Sequence, residues 1–307
     1  MSSSTTPCKP NDQIASPAPR RSPPSSKGFS LNARKTTDLA SESGGGRSTL
    51  AERLRIAGCV FAEDEADVLL TAATTPEELE QMVRHRVLGV PLEQIVGWAE
   101  FGGLRIAVQP GVFVPRRRTE LLLQQALLLA PPQPIVVELC CGSAALALAV
   151  ASTLQDVEVY ATDIDPAAVQ CARRNLSRLP SSAVALEGDL YEPLPHSLAG
   201  RVNLLLANAP YVPTGSMELL PREARLYEPR LALDGGADGL DIVRRIVAGA
   251  KRWLAPNGRL LVETTSGQAS ATIAAFERHG LASHTVTSDE LDATVAIARL
   301  PDASSRD

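Results

Sequence analysis

Residues 135–165 read IVVELCCGSAALALAVASTLQDVEVYATDID. The apolar run Ile135 to Leu139 has the length of a strand and stops at a turn of small residues, Cys140 to Ser143. Ala144 to Leu154 is dominated by Ala and Leu, the residues that lose least on entering a helix. A second apolar run, Val157 to Thr162, ends on Asp163. Strand, turn, helix, strand is the opening of a nucleotide-binding α/β unit, and an acidic residue about 20 positions beyond the turn is where such a unit accepts from ribose hydroxyls. A nucleoside or nucleotide is therefore the expected ligand, with Asp163 on its ribose. The plainer alternative is an ordinary βαβ unit in which Asp163 caps a helix.

The turn narrows the ligand. A dinucleotide fingerprint needs three glycines so that the backbone can approach a pyrophosphate. Here only Gly142 is present, with Cys140, Cys141 and Ala144 at the other tight places. The pattern argues against a pyrophosphate and fits an adenosyl ligand without phosphate, such as S-adenosylmethionine.

Composition sets the outer limits. A chain of 307 residues, 44% hydrophobic and 21% charged, can build a large α/β domain and a smaller one. No apolar run approaches the roughly 18 residues of a membrane span, so no membrane partner is expected. The five cysteines form no C-x-x-C pair and no metal-ligand spacing, and read as reduced cytoplasmic thiols. Cys140 and Cys141 read as small residues suited to a tight turn. Residues 1–47 hold 7 basic and 3 acidic residues, leaving 23 basic and 32 acidic in the rest. An acidic body is a poor match for phosphate neutralisation, so nucleic acid is not an expected partner.

The first 47 residues, rich in Ser, Pro and Gly, are expected as a disordered tail. From 48 to 92 three helices are predicted. The first starts at a capping box of Thr49 and Glu52, with Leu50, Leu54 and Ala57 on one face. The second runs from Glu63 to Ala73, and the third starts at Thr75-Pro76-Glu77-Glu78, with Leu79, Met82, Val83 and Val87 in a stripe. This small bundle is assigned to substrate recognition. Ile95 to Val108 reads as a hairpin turning at Gly102-Gly103, within a linker spanning 93–118. Strands and helices then alternate from 119 to 307, predicting a doubly wound, mostly parallel seven-stranded sheet whose last pair is antiparallel. One strand, Arg201 to Ala207, ends in Asn208-Ala209-Pro210-Tyr211. Ligands of open α/β sheets bind at such carboxyl ends.

With that stretch in place the chain resembles the class I S-adenosylmethionine-dependent methyltransferases, and within them the protein-(glutamine-N5) methyltransferases that modify release factors. The likeness runs from about Thr49 to Leu300. It rests on Phe113-Val114-Pro115-Arg116 with Thr119-Glu120, the turn from Glu138 to Leu146, Asp163, Gly188-Asp189, the Asn-x-Pro-Tyr stretch, Glu228-Pro229-Arg230 and Leu233-Asp234-Gly235-Gly236.

The resemblance implies a Rossmann-like methyltransferase domain and S-adenosylmethionine as cofactor. It also implies a monomer acting on a protein substrate, with a translation release factor the simplest candidate. Its donor site would comprise Phe113, Glu138, Cys140, Gly142, Asp163, Ile164, Asp189, Leu190 and Asn208, and its catalytic stretch Asn208, Ala209, Pro210 and Tyr211, with no metal. Two positions depart from the family. The first loop keeps one glycine of the usual Asp-x-Gly-x-Gly-x-Gly, and Ala209 replaces the first proline of Asn-Pro-Pro-Tyr. The competing readings are methylation of an exocyclic amine on a nucleic-acid base and a non-catalytic adenosyl-binding relative.

Overall fold

The computed structural model describes residues 46–179 and 183–301. The tail expected at 1–47 lies outside the described residues up to position 45. Gly46 and Arg47 correct its boundary, because helix α1 spans Gly46–Ile56 and Arg47 pairs with Asp67. Thr49 is consequently inside α1 and caps nothing. Ala57 is exposed, and Ala51 joins Leu50 and Leu54 on the buried face instead.

Helix α2 (Ala62–Ala72) and helix α3 (Pro76–Val87) complete a bundle whose core includes Leu50, Leu54, Ala66, Leu69 and Val83. At the start of α3 the Thr75 hydroxyl accepts from the Glu78 N–H at 3.1 Å, while the Glu78 carboxylate takes the Thr74 N–H, one residue earlier than a capping box predicts. Val87, assigned to the apolar stripe, is exposed. A fourth helix, α4 (Leu92–Val96), went unforeseen: its last residues, Ile95 and Val96, fall where the hairpin was expected to begin, and Gly97 ends it at φ +80°. The hairpin itself is β1 (Trp98–Phe101) and β2 (Leu104–Ala107).

Helix α5 (Glu120–Leu129) leads into β3 (Ile135–Leu139), α6 (Ala145–Thr153), β4 (Glu158–Asp163), α7 (Pro166–Leu176), β5 (Ala183–Glu187) and β6 (Val202–Ala207). The stretch between β6 and Asp238 contains the short helix α8 (Arg222–Tyr227). Then follow α9 (Asp241–Trp253), β7 (Leu254–Thr264), α10 (Ala269–Arg278), β8 (Ala282–Ser288) and β9 (Ala293–Arg299).

The seven strands lie in the order β5-β4-β3-β6-β7-β9-β8, all parallel except β9, which is antiparallel to both of its neighbours. Both faces are buried, and successive residues of β3 alternate between them: Val136 packs with α5, α6 and α7, while Val137 packs with α9 and α10. That double burial explains why the central strands read as continuous apolar runs. The chain begins in the middle at β3, winds outward through β4 and β5, and returns to β6 on the other side. The crevice outside the carboxyl ends of β3 and β6 is thus the topological switch point where open α/β sheets bind ligands.

Candidate active site

The cleft at that switch point has about 1060 Å3 of empty space, part of it open solvent. Of the residues expected at the site, Phe113, Glu138, Cys140, Gly142, Asp163, Ile164, Asp189, Leu190, Asn208 and Pro210 line it. Ala209 and Tyr211 do not. The Ala209 side chain is buried among β3, β6 and α9, and the Tyr211 carbonyl accepts from Gln268 Nε2 at 2.9 Å.

The loop after β3 keeps left-handed backbone at the two positions where glycine is replaced. Cys140, Gly142 and Ala144 all stand in the left-handed region, at φ +54°, +54° and +57°. For the two non-glycine residues that conformation costs roughly 1–2 kcal/mol each. Hydrogen bonds from outside the loop hold it there. The Cys141 N–H reaches the Thr162 carbonyl at 3.0 Å, the Gly142 N–H reaches Asp163 Oδ2 at 2.8 Å, and Asn175 Nδ2 donates to the Ser143 carbonyl at 2.8 Å. Asn175 is fully buried on α7 and also bonds both polar groups of the Ala107 backbone, so one amide ties this loop to the hairpin. Burial, with the carboxylates around them, pushes both the Cys140 and Cys141 thiols up. They stay protonated and serve as small wall residues.

Asp163 ends β4 facing the cleft. Burial raises its carboxyl, against the bonds from the Asp165 and Gly142 N–H groups that favour the anion. Glu138 accepts from the Ala147 N–H at 2.8 Å, at the N-terminus of α6, and burial pushes it up to about 8. Asp189 is paired with Arg245 on α9 at 2.6 Å. Arg245 and its neighbour Ile242 line the cleft and were not anticipated, since an arginine in an amphipathic helix reads as surface. Phe113 lies beneath the Arg116 guanidinium, 4.9 Å from the ring centre, and Arg116 in turn pairs with Glu228 at 2.5 Å. The two motifs Phe113–Arg116 and Glu228–Arg230, distant in sequence, thereby close one side of the site.

These residues fit an adenosyl donor. The acidic side chains of Glu138, Asp163, Asp165 and Asp189 lie around a wall of Phe113, Leu146, Ile164 and Leu190, which suits a cationic ligand with a broad apolar part. A Cβ at Gly142 would stand in open space, its only neighbour Phe113 Cβ at 4.0 Å, so the glycine leaves a recess in the donor loop.

On the opposite lip, Asn208 follows β6. Its Nδ2 donates to Thr119 Oγ1 at 3.1 Å. Its side-chain carbonyl is left for the cleft. The segment Leu233–Leu240 packs directly behind the loop. A Cβ at Gly239, where φ is +78°, would collide with the Tyr211 carbonyl. This glycine is therefore what lets the backbone of the loop be supported from behind, a role that only the assembled tertiary structure makes visible.

The Methyltransferase small domain family matches residues 103–220. The release factor glutamine methyltransferase of Geobacter sulfurreducens is 41% identical over 208 residues, covering 67% of this chain and 72% of that one. The chain belongs to the release factor glutamine methyltransferase family. It is a methyltransferase, and S-adenosylmethionine is its donor. A ribosomal protein uL3 glutamine methyltransferase from Burkholderia pseudomallei is 36% identical to this chain over 225 residues, covering 69% of this chain and 73% of that one. Among solved structures, a methyltransferase from Pyrococcus furiosus superposes with a TM-score of 0.50 at 16% identity, over 65% of this chain and 90% of that one, and so shares the fold. Among the described residues no helix is long and apolar enough to cross a membrane.

Proposed function

We propose that this protein methylates the side-chain amide nitrogen, N5, of a glutamine in a protein substrate, and that a translation release factor is that substrate. The observation that carries the reading is the tether of Asn208 through its own nitrogen to Thr119, which leaves an amide carbonyl facing the cleft that Asp163 lines. An amide nitrogen is a poor nucleophile because its lone pair is delocalised, so the protein must hold it in line and exclude water. The Asn208 side-chain carbonyl accepts one N–H of the substrate amide and the Ala209 backbone carbonyl the other, while Pro210 gives the planar group an apolar wall. Loss of the proline at 209 removes stiffness but keeps that carbonyl.

Asp163 holds the ribose of the donor, the recess at Gly142 its methionine end, and Asp189 with Leu190 its adenine edge. Bound S-adenosylmethionine supplies an electrophilic methyl group on a sulfonium. The four-helix bundle serves substrate recognition in this reading. It is joined to the lip of the site by Arg86, which bridges Glu65 and Glu223, and by Tyr227, whose hydroxyl donates to the Leu88 carbonyl at 3.2 Å.

The test is to incubate the full chain with methyl-labelled S-adenosylmethionine and either a release factor or ribosomal protein uL3, then to map the label by tandem mass spectrometry. N5-methylglutamine in the release factor is the expected product. Label on uL3 alone would move the substrate, and label on neither would overturn the reading.

A further inference from the structure

Phe113 is held from outside the site. It lines the cleft beside the loop after β3, its Cβ 4.0 Å from where a Cβ at Gly142 would stand, whereas Arg116 and Glu228 do not line the cleft. The Arg116 guanidinium, 4.9 Å from the ring centre, therefore backs Phe113 on a side away from the cleft. Arg116 Nη2 donates to Glu228 Oε1 at 2.5 Å, and the Val114 N–H approaches the same oxygen at 3.5 Å.

A second fastening lies one step back along both segments. Gln94, on α4 and only 8% exposed, places its amide nitrogen 3.3 Å from the Val112 carbonyl and 3.3 Å from the Tyr227 carbonyl. An amide NH2 has two protons to give, and both are spent here. Val112–Arg116 and Tyr227–Glu228, distant in sequence, are thus joined on either side of Phe113, and one of the joints comes from the helical bundle.

The Glu228 side chain is 1% exposed, and its Oε2 has no partner among the described residues. Burying such a group is costly, and two apolar residues in place of the ion pair would often stabilise a fold as well or better. What an apolar pair lacks is direction. Hydrogen bonds weaken steeply off their axis, so this set fixes where the Val112–Arg116 segment lies and the angle at which Phe113 meets a ligand. Because neither Arg116 nor Glu228 lines the cleft, any effect they have on a bound donor must pass through Phe113.

We propose that Gln94, Arg116 and Glu228 are positioning residues for the donor. They form a clasp that holds Phe113 against S-adenosylmethionine, and through Gln94 the bundle takes part in donor binding. The clasp rests on the placement of the donor at Phe113 and Gly142 in the reading above.

It is tested on the full-length protein by donor calorimetry and melting temperature, both without acceptor, so the result does not depend on which protein is methylated. Arg116→Met should weaken the donor roughly 3- to 30-fold, the range of an aromatic face against a cation. It should also lower the melting temperature by leaving Glu228 unpaired. Adding Glu228→Met should bring the melting temperature back to the wild-type value or above, while the donor stays weakly bound. A purely structural pair predicts instead that affinity returns with stability.

Phe113→Leu should itself weaken the donor, and Arg116→Met added to it should change affinity by no more than about twofold, as expected of residues acting in series. Gln94→Leu should weaken the donor about two- to tenfold, the scale of a hydrogen bond, and should likewise add nothing in Phe113→Leu. Affinity that recovers with stability in the Arg116→Met/Glu228→Met protein, or equal losses from Arg116→Met with and without Phe113, would overturn the clasp while leaving the proposed reaction intact. Wild-type affinity in Gln94→Leu would overturn the part given to the bundle. Wild-type affinity in Phe113→Leu would take the donor away from Phe113 and overturn the clasp with it, and glutamine methylation would still be decided by the label.

Discussion

The two loops that face each other across the cleft solve the same problem by different means. The donor loop, Cys140 to Ala144, keeps three left-handed residues although only one is glycine, and hydrogen bonds from Asn175 and to Asp163 and Thr162 keep it in shape. The acceptor loop, Asn208 to Tyr211, is held through close packing against a glycine-bearing segment and through Gln268 and Thr119. A loop fixed by hydrogen bonds tolerates Cys and Ala at a modest cost in strain. One fixed by backbone contact does not tolerate a Cβ. The erosion of glycines in the first loop is therefore a weaker sign of lost function than it looks on paper.

The division of labour can be broken most sharply at Asn208. Asn208→Ala should lower the single-turnover rate by about 100-fold or more while donor affinity stays within about twofold, because the lost contact orients the nucleophile and does not hold the donor. Equal losses in both would merge the two loops into one functional unit. Gly239→Ala comes next. The residue would have to adopt φ +78° and displace the Tyr211 carbonyl, costing about 1–3 kcal/mol of stability with a parallel fall in turnover, read from denaturant unfolding and from the rate per folded molecule.

The sequence made the donor side legible further than the acceptor side, for a physical reason. Asp163, Gly142 and the strand before them lie in one continuous βαβ stretch, where spacing carries the geometry. The Asn208 loop could be recognised by its residues and by the strand end that bears it, but its supports come from elsewhere: Thr119 at the start of α5, Gly239 before α9, Gln268 before α10. Helix α4 was missed because five residues bounded by Pro91 and Gly97 carry no measurable period. The capping box at Thr49 was misplaced because α1 extends back through Arg47 to Gly46, which leaves Thr49 inside the helix.

A third prediction concerns pH and the donor side alone. Burial lifts the folded-state carboxyl of Glu138 from an ordinary value near 4.5 to about 8. The native chain then binds more protons than the unfolded chain across that window, so this group stabilises the fold at low pH and the contribution is lost as pH rises through about 8. Asp163, Glu228 and Glu263 are raised by burial in the same direction. Melting temperature should fall from about pH 5.5 to about pH 8, and less so in Glu138→Gln. Affinity for the cationic donor should rise over the same window in the wild type and flatten in that variant.

The smallest effects belong to the strained positions. Cys140→Gly and Ala144→Gly should each change stability by no more than about 1 kcal/mol, relief of left-handed strain being offset by the greater freedom of glycine when unfolded. Donor affinity should hardly move. A large gain in affinity from either would show that the hydrogen-bonded loop is not yet in its binding shape.

The claim that joins these points is that the donor loop, short of two glycines, still has the form that binds S-adenosylmethionine. Calorimetric titration of the wild-type chain with that donor, alongside Asp163→Ala, tests it most directly. The expected result is saturable binding of one donor per chain, weakened in Asp163→Ala by the roughly 1.5–3 kcal/mol of each charge-assisted hydrogen bond removed. The absence of saturable binding to the folded wild-type protein, or equal affinity in the two, would contradict it.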